Sequence, residues 1–82
     1  MGDYILAVKQ GNTYRTLSVH PSFESAFESW LPKVQSGEYT SLLEIQKDKQ
    51  TVFNGYADSS AVLVLDVREA KRVAYSKLRQ YR

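Results

Sequence analysis

The sequence predicts a single α+β domain over residues 1–82, with its elements in the order ββαβββα. Strand-type patterns fill the first twenty residues, apolar residues at helical spacing follow between positions 23 and 34, and a second helical pattern occupies the last fifteen residues. An antiparallel or mixed sheet with two helices packed on one face is the architecture that this order favours. The strand order within the sheet stays open.

The composition indicates a packed domain without covalent cross-links. Of the 82 residues, 43% are hydrophobic and 12% aromatic, which suffices for a core and is too much for a disordered segment. The chain contains no cysteine, so disulfides, thiolate nucleophiles and zinc–thiolate sites are excluded. No apolar run reaches the roughly 20 residues of a membrane span, and the first residues lack a signal-peptide pattern. We therefore expect a cytoplasmic protein without membrane contact.

The first two strands are predicted to form a β-hairpin. Residues 4–8 are rich in strand-forming side chains, and residues 14–19 alternate apolar with polar positions. Gly11 and Asn12 between them fit a two-residue type II′ turn, in which glycine takes the first position with a positive φ angle. The second strand should end at His20, because the proline that follows cannot donate to the ladder.

A helix is predicted to follow the hairpin. Ser22 fits an N-cap, and Glu24 would complement the positive end of the helix dipole. Six apolar residues form one stripe at helical spacing: Phe23, Ala26, Phe27, Trp30, Leu31 and Val34. This spacing favours core packing over a stacking surface for the aromatic residues. Pro32 should kink or end the helix near Leu31, and Ser36-Gly37 closes the segment.

Residues 41–56 are predicted to form a second hairpin, with two alternative turns. Leu43 and Ile45 lie on one face of its first strand, and Lys47-Asp48-Lys49-Gln50 supplies a polar turn. Asn54-Gly55 is itself a strong hairpin-turn signal, so in the alternative the turn lies there and the third strand is longer. The sequence leaves both turns open.

The last strand and the last helix are predicted side by side. Residues 61–65 are apolar throughout and rich in valine, which favours a central, buried strand. Asp66 and Glu69 have capping-box spacing, so the final helix should begin near Val67. Its predicted core face consists of Val67, Ala70, Ala74, Leu78 and Tyr81. A single long helix from Ser59 onwards is the rival interpretation.

Charge is distributed unevenly along the chain. The formal net charge of +2 combines −3 over residues 1–67 with +5 over residues 68–82. An acidic body with a basic C-terminal helix is the most informative feature of the composition, because such an asymmetry points to a polyanionic partner.

A stripe of arginines is predicted on the solvent face of the last helix. On a wheel of about 100° per residue, five side chains fall within about 80° of arc. They are Arg68, Arg72, Tyr75, Arg79 and Arg82, and we name them the arginine stripe. Guanidinium groups pair bidentately with phosphates, and a tyrosine among them can stack on a base.

Three interpretations of the arginine stripe stay open. The first is a small binding module that presents the stripe to a polyanion, with nucleic acid slightly favoured. The second is a regulatory adaptor or inhibitor that occupies an acidic or nucleic-acid-binding surface of a partner protein. The third is structural, because cations in the last turns offset the negative end of the helix dipole. This third interpretation accounts for Arg79 and Arg82 but not for Arg68 and Arg72.

Two other surfaces are candidates for interaction. The outer face of the first helix is polar and mildly acidic, through Glu24, Ser25, Glu28 and Ser29. It would accept the arginine stripe of a second copy in a homodimer, although a solvated face is the simpler explanation. An exposed apolar patch would also attract a partner. Candidate residues for such a patch are Tyr14, Tyr39 and Tyr56.

The sequence gives little support to catalysis. His20 is the one histidine, and a nucleophile and an orienting acid would have to come from Ser18, Ser22 and Asp66. The best enzymatic alternative is an RNA-cleaving domain in which Arg72 and Arg79 stabilise the transition state and His20 acts as acid or base. Metal-ligand spacing and a glycine-rich phosphate loop are both missing from the sequence. We therefore predict a non-enzymatic protein that needs no cofactor or metal.

Overall fold

The computed structural model describes residues 3–37, 41–55, 62–64 and 68–80. Within these residues the elements follow in the predicted order ββαβββα, which confirms the α+β prediction. The strands are β1 (Tyr4–Gln10), β2 (Thr13–His20), β3 (Leu43–Lys47), β4 (Gln50–Asn54) and β5 (Val62–Leu63). The helices are α1 (Phe23–Ser36) and α2 (Arg68–Arg79).

The five strands form one antiparallel sheet in the order β2-β1-β3-β4-β5. Both β2 and β3 run antiparallel to β1, so they are parallel to each other, and α1 provides the crossover between them. α1 packs against β1, β2 and β3, and α2 packs against α1 and shares the same core. Both helices therefore lie on one side of the sheet, as predicted.

The first hairpin has the predicted turn. Gly11 has a φ angle of +63°, and Asn12 does not share this positive value. A positive φ at the first turn position only is the requirement of a type II′ turn. β2 ends at His20, where the sequence predicts it to end.

Both ends of α1 are capped as predicted. The hydroxyl of Ser22 accepts a hydrogen bond from the backbone N–H of Ser25 at 3.2 Å. At the other end, Gly37 has a φ angle of +69° and donates its N–H to the carbonyl of Val34 at 3.3 Å. The left-handed conformation of Gly37 is one that glycine adopts without steric cost.

Of the two effects expected of Pro32, a kink or an end of the helix near Leu31, the end is wrong. The helix continues through Pro32 to Ser36. A proline at this position deprives the carbonyl of Glu28, four residues earlier, of its helical partner. Both Glu28 and Pro32 are exposed, so water can satisfy that carbonyl and the helix continues.

The second hairpin uses the first of its two alternative turns. β3 and β4 are joined by Asp48 and Lys49, whose φ angles are +54° and +64°. Two successive positive φ angles are typical of a type I′ turn, whose twist matches that of the flanking strands. Asn54-Gly55 lies at the end of β4 instead of forming the hairpin turn.

The expectation of a central, buried strand over residues 61–65 is wrong. Within the described residues, β5 consists of Val62 and Leu63, pairs with β4 at the edge of the sheet, and leaves 54% of Val62 exposed. An apolar run indicates a fully buried strand only where layers cover both faces of the sheet, whereas Val62 lies on the face opposite the helices and only Leu63 packs against the core. The strand pairing also excludes the rival helix from Ser59. Ala61 and Leu65 lie outside the described residues.

The core lies between the sheet and α1 and is dominated by aromatic rings. The ring centroid of Phe53 on β4 lies 5.0 Å from Trp30, 5.3 Å from Phe27 and 5.8 Å from Phe23. The indole N–H of Trp30 donates to the carbonyl of Leu43 at 3.1 Å. The aromatic residues of α1 thus form the core, as their helical spacing predicts.

α2 begins within one residue of its predicted start and docks on α1 through small side chains. Ala70 and Ala74 are fully buried, and Leu78 packs against the core. Since the distance between two helices depends on the side chains at the contact, alanine lets α2 approach α1 closely. The other predicted residues of this face and cap, Asp66, Val67 and Tyr81, lie outside the described residues.

Candidate polyanion-binding surface

Four of the five residues of the arginine stripe lie on one exposed face of α2. They are Arg68, Arg72, Tyr75 and Arg79. Tyr75 keeps 50% of its surface exposed, which is high for an aromatic side chain. Since the alanines of α2 face α1, the stripe faces solvent. Arg82 lies outside the described residues.

The middle of the arginine stripe borders a surface concavity of about 490 Å³. Its lining consists of Arg72, Tyr75, Ser76, Arg79 and Gln80. The Ser76 hydroxyl and the Gln80 amide add uncharged hydrogen-bond donors to the guanidinium groups. Neither residue was predicted, although Ser76 lies one turn after Arg72 and the helical wheel places it beside the stripe.

A second concavity, of about 200 Å³, lies between α2 and α1. It is lined by Glu24, Arg72, Val73, Ser76 and Lys77. Glu24 supplies a negative charge to a wall that is otherwise basic or neutral. The arginine stripe therefore has one border of mixed charge, where α1 begins.

The positive charges of α2 differ in how far they are neutralised within the chain. Lys77 Nζ lies 3.3 Å from Glu28 Oε1 on α1, in a partly exposed ion pair. Among the described residues, Arg68, Arg72 and Arg79 have no ion pair. Their guanidinium groups keep their donors available to a ligand.

The position of each arginine along α2 distinguishes a structural role from a binding role. Arg79 lies in the last turn, where a cation stabilises the helix dipole. Arg68 is the first residue of α2, where the helix dipole disfavours a cation. Arg72 is one turn further, away from both ends. The helix dipole therefore accounts for Arg79 but not for Arg68 or Arg72.

The polar face of α1 is engaged within the chain. Ser25 bonds to His20, Ser29 accepts a hydrogen bond from Lys33 Nζ at 3.1 Å, and Glu28 pairs with α2. Docking of a second copy on this face would compete with these contacts.

His20 joins the end of β2 to the start of α1. Its Nε2 atom lies 2.7 Å from the Ser18 hydroxyl and its Nδ1 atom lies 2.9 Å from the Ser25 hydroxyl. The Ser18–His20 distance is that of a nucleophile and its base, but the third group is a serine hydroxyl and not a carboxylate. Ser25, one helical turn after the cap, was not predicted as a partner of His20. Asp66 lies outside the described residues.

A buried carboxylate occupies the sheet face opposite the helices. Glu44 is only 3% exposed and accepts hydrogen bonds from Thr51 Oγ1 and, at 3.4 Å, from Gln46 Nε2. A hydrogen bond to Glu44, reinforced by the negative charge of that carboxylate, raises the pKa of Tyr14 above its ordinary value. The sequence signal for this network is a charged residue, Glu44, between the two core residues Leu43 and Ile45. Such a position places a carboxylate on the other face of a central strand, where it needs hydrogen-bonding partners.

The comparisons with known proteins leave the function to be argued from this geometry. No family model matches the chain, no curated protein matches its sequence, and no solved structure matches its fold. Neither of the helices in the described part of the chain is long and apolar enough to cross a membrane.

Proposed function

We propose that this protein is a non-enzymatic module that binds nucleic acid through the arginine stripe of α2. The observation that carries the proposal is that Arg68 and Arg72 are exposed, have no ion pair among the described residues, and lie where the helix dipole does not call for a cation. Such arginines are typical of surfaces that neutralise phosphates. We also propose the cytoplasm as its compartment.

The arrangement around Tyr75 favours single-stranded over duplex nucleic acid. Tyr75 is half exposed and shares one concavity with Arg72 and Arg79. A base can stack on its ring while the guanidinium groups contact the flanking phosphates. Bases offer their faces to a side chain in single strands but not within a duplex.

A protein partner with an acidic or nucleic-acid-binding surface is the second candidate. The mixed border of the stripe supports it, since Glu24 faces the same concavity as Arg72 and Lys77. A phosphate backbone is repelled by a carboxylate, whereas a protein surface can offer a cation to Glu24 and anions to the stripe. In that role the protein is an adaptor or an inhibitor.

Fluorescence anisotropy with labelled single-stranded and duplex oligonucleotides tests the proposal. The Arg72→Ala/Arg79→Ala variant should lower the affinity by about tenfold or more. It should also reduce the slope of log K against log salt by about 1.4 for single strands, the value expected for two lost phosphate contacts. Lys9→Ala/Arg15→Ala is the matched control, because it removes the same charge from exposed positions on β1 and β2.

Two outcomes would count against nucleic acid. One is the absence of binding by the wild-type protein at low salt. The other is an equal loss of affinity in both double variants, which would indicate dependence on net charge and not on the stripe. In either case a pull-down with nuclease treatment tests the second candidate, since a direct protein partner survives nuclease and a nucleic-acid-bridged one does not.

A further inference from the structure

The concavity between α2 and α1 contains a carboxylate that has no ion pair among the described residues. Glu24 is exposed in the first turn of α1 and contributes to the wall of this concavity, which we name the Glu24 concavity. Lys77, on the same wall, pairs with Glu28, one turn further along α1, and not with Glu24. The oxygens of Glu24 therefore stay available as hydrogen-bond acceptors.

The Glu24 concavity is continuous with the concavity of the arginine stripe. Arg72 and Ser76 line both the Glu24 concavity of about 200 Å³ and the larger one of about 490 Å³ that is also lined by Tyr75. On the helical wheel, Ser76 lies between Tyr75 and the side of α2 that faces α1. A single strand with one base on Tyr75 can therefore continue across Arg72 and Ser76 towards Glu24.

The walls of the Glu24 concavity suit a nucleobase better than a phosphate. Val73 is partly buried against the core and provides an apolar wall beside the Glu24 carboxylate. A base in this position packs on Val73 and turns its polar edge to Glu24, while Arg72 and the Ser76 hydroxyl contact the adjoining phosphate. A phosphate next to Glu24 is disfavoured, since both groups are anionic.

Hydrogen-bond chemistry distinguishes guanine from the other bases at such a carboxylate. An ionised carboxylate accepts hydrogen bonds through two neighbouring oxygens and donates none. Guanine presents two neighbouring donors, N1–H and the N2 amino group, on the Watson–Crick edge that single strands expose. Adenine, cytosine and thymine each present one donor beside an acceptor, and that acceptor is repelled by the carboxylate.

We propose that Glu24 is a specificity-determining residue that selects guanine in a single strand bound to the arginine stripe. The two carboxylate oxygens accept from N1–H and from the N2 amino group in a bidentate pair. This inference rests on the proposed nucleic-acid binding and adds a base preference to it. A carboxylate in the first turn of α1 also stabilises the helix dipole, but that effect acts on folding and gives no preference between bases.

Fluorescence anisotropy of the full chain with matched single strands tests this inference. A short thymine strand with one central guanine should bind the wild-type protein at least about fivefold more tightly than the all-thymine strand. Hypoxanthine in place of that guanine keeps N1–H but lacks the amino group, so it should remove part of the preference. Glu24→Gln should bring the affinities for the guanine and all-thymine strands within about twofold of each other, because an amide offers one acceptor and one donor group.

Glu69→Gln is the matched control, because it removes the same charge from an exposed position in the first turn of α2. Glu69 lines neither of the two concavities, so this variant should keep the preference for guanine. Circular dichroism of both variants checks that the fold is retained.

The results separate this inference from the proposed function. Equal binding of the guanine and all-thymine strands by the wild type overturns the selection of guanine but still supports nucleic-acid binding. A preference for guanine that survives Glu24→Gln, or that Glu69→Gln removes as well, overturns the role of Glu24. Failure of every strand to bind overturns the inference and the proposed function together.

Discussion

Replacing Phe53 by alanine should remove a large part of the stability of the domain, because this one side chain joins β4 to the aromatic residues of α1. Phe53 is 1% exposed, and its ring lies between 5.0 and 5.8 Å from the rings of Phe23, Phe27 and Trp30. No other side chain of β4 has three such ring contacts among the described residues. The substitution therefore removes apolar burial and three aromatic pairs at once.

The size of the effect follows from this burial. Truncating a buried phenylalanine costs about 3–5 kcal/mol, and the loss of three ring pairs favours the upper half of that range. A domain of 82 residues has a free energy of unfolding of about 4–12 kcal/mol. A cost of about 4 kcal/mol or more, at about 4–8 °C per kcal/mol, should lower the melting temperature by at least about 16 °C.

Urea unfolding followed by circular dichroism measures this cost. Phe53→Leu keeps most of the volume and should cost less than half as much as Phe53→Ala, while Gln35→Ala at an exposed position should stay within about 0.5 kcal/mol of wild type. A cost below about 1.5 kcal/mol for Phe53→Ala would contradict the reasoning. It would mean that β4 is not paired as the Asp48-Lys49 turn requires.

Three further predictions concern other parts of the chain. Glu44→Gln should lower the pKa of Tyr14 towards its ordinary 10.0, since the substitution removes the carboxylate charge. A spectrophotometric titration measures this pKa, with Tyr14→Phe to assign the signal. An unchanged pKa would contradict the interaction between Tyr14 and Glu44. Gly37→Ala should lower the free energy of unfolding by about 1 kcal/mol, measured with urea, because alanine is strained at a φ angle of +69°. The added Cβ meets no atom within 4 Å, so a cost above about 3 kcal/mol would contradict this open surrounding. His20→Ala should lower the free energy of unfolding by about 1–2 kcal/mol through its two lost hydrogen bonds and leave nucleic-acid affinity within twofold. Cleavage of RNA by the wild type that is lost in His20→Ala would instead support the enzymatic alternative.

The parts of the fold that were predictable depend on local chemistry. Ser22 caps α1 because a short side-chain acceptor before a helix meets an unpaired N–H, whatever the rest of the chain does. Gly11 takes a positive φ for a similarly local reason. The exposure of Arg72 and Tyr75 was predictable as well, because a helical wheel separates them from the buried alanines.

The parts that were not predictable depend on contacts between distant residues. The second hairpin contains two turn signals, and the local sequence does not decide between them. In the structure the chain turns at Asp48-Lys49, and β3 pairs both with β4 and with the distant strand β1. The apolar run around Val62 gave no sign that β5 lies at an edge. The ion pair of Lys77 with Glu28 and the approach of Glu24 to the stripe arise only when α2 docks on α1.

Nucleic-acid binding by α2 is tested most directly by a nuclear magnetic resonance titration of the isotopically labelled protein with a short single-stranded oligonucleotide. We predict that the largest shifts of backbone amides fall within residues 68–80, with the Arg72 and Arg79 signals among the first to move. Val19 on β2 and Val62 on β5, away from α2, should show little change. Shifts centred on the strands, or no shifts at millimolar oligonucleotide, would contradict nucleic-acid binding by α2.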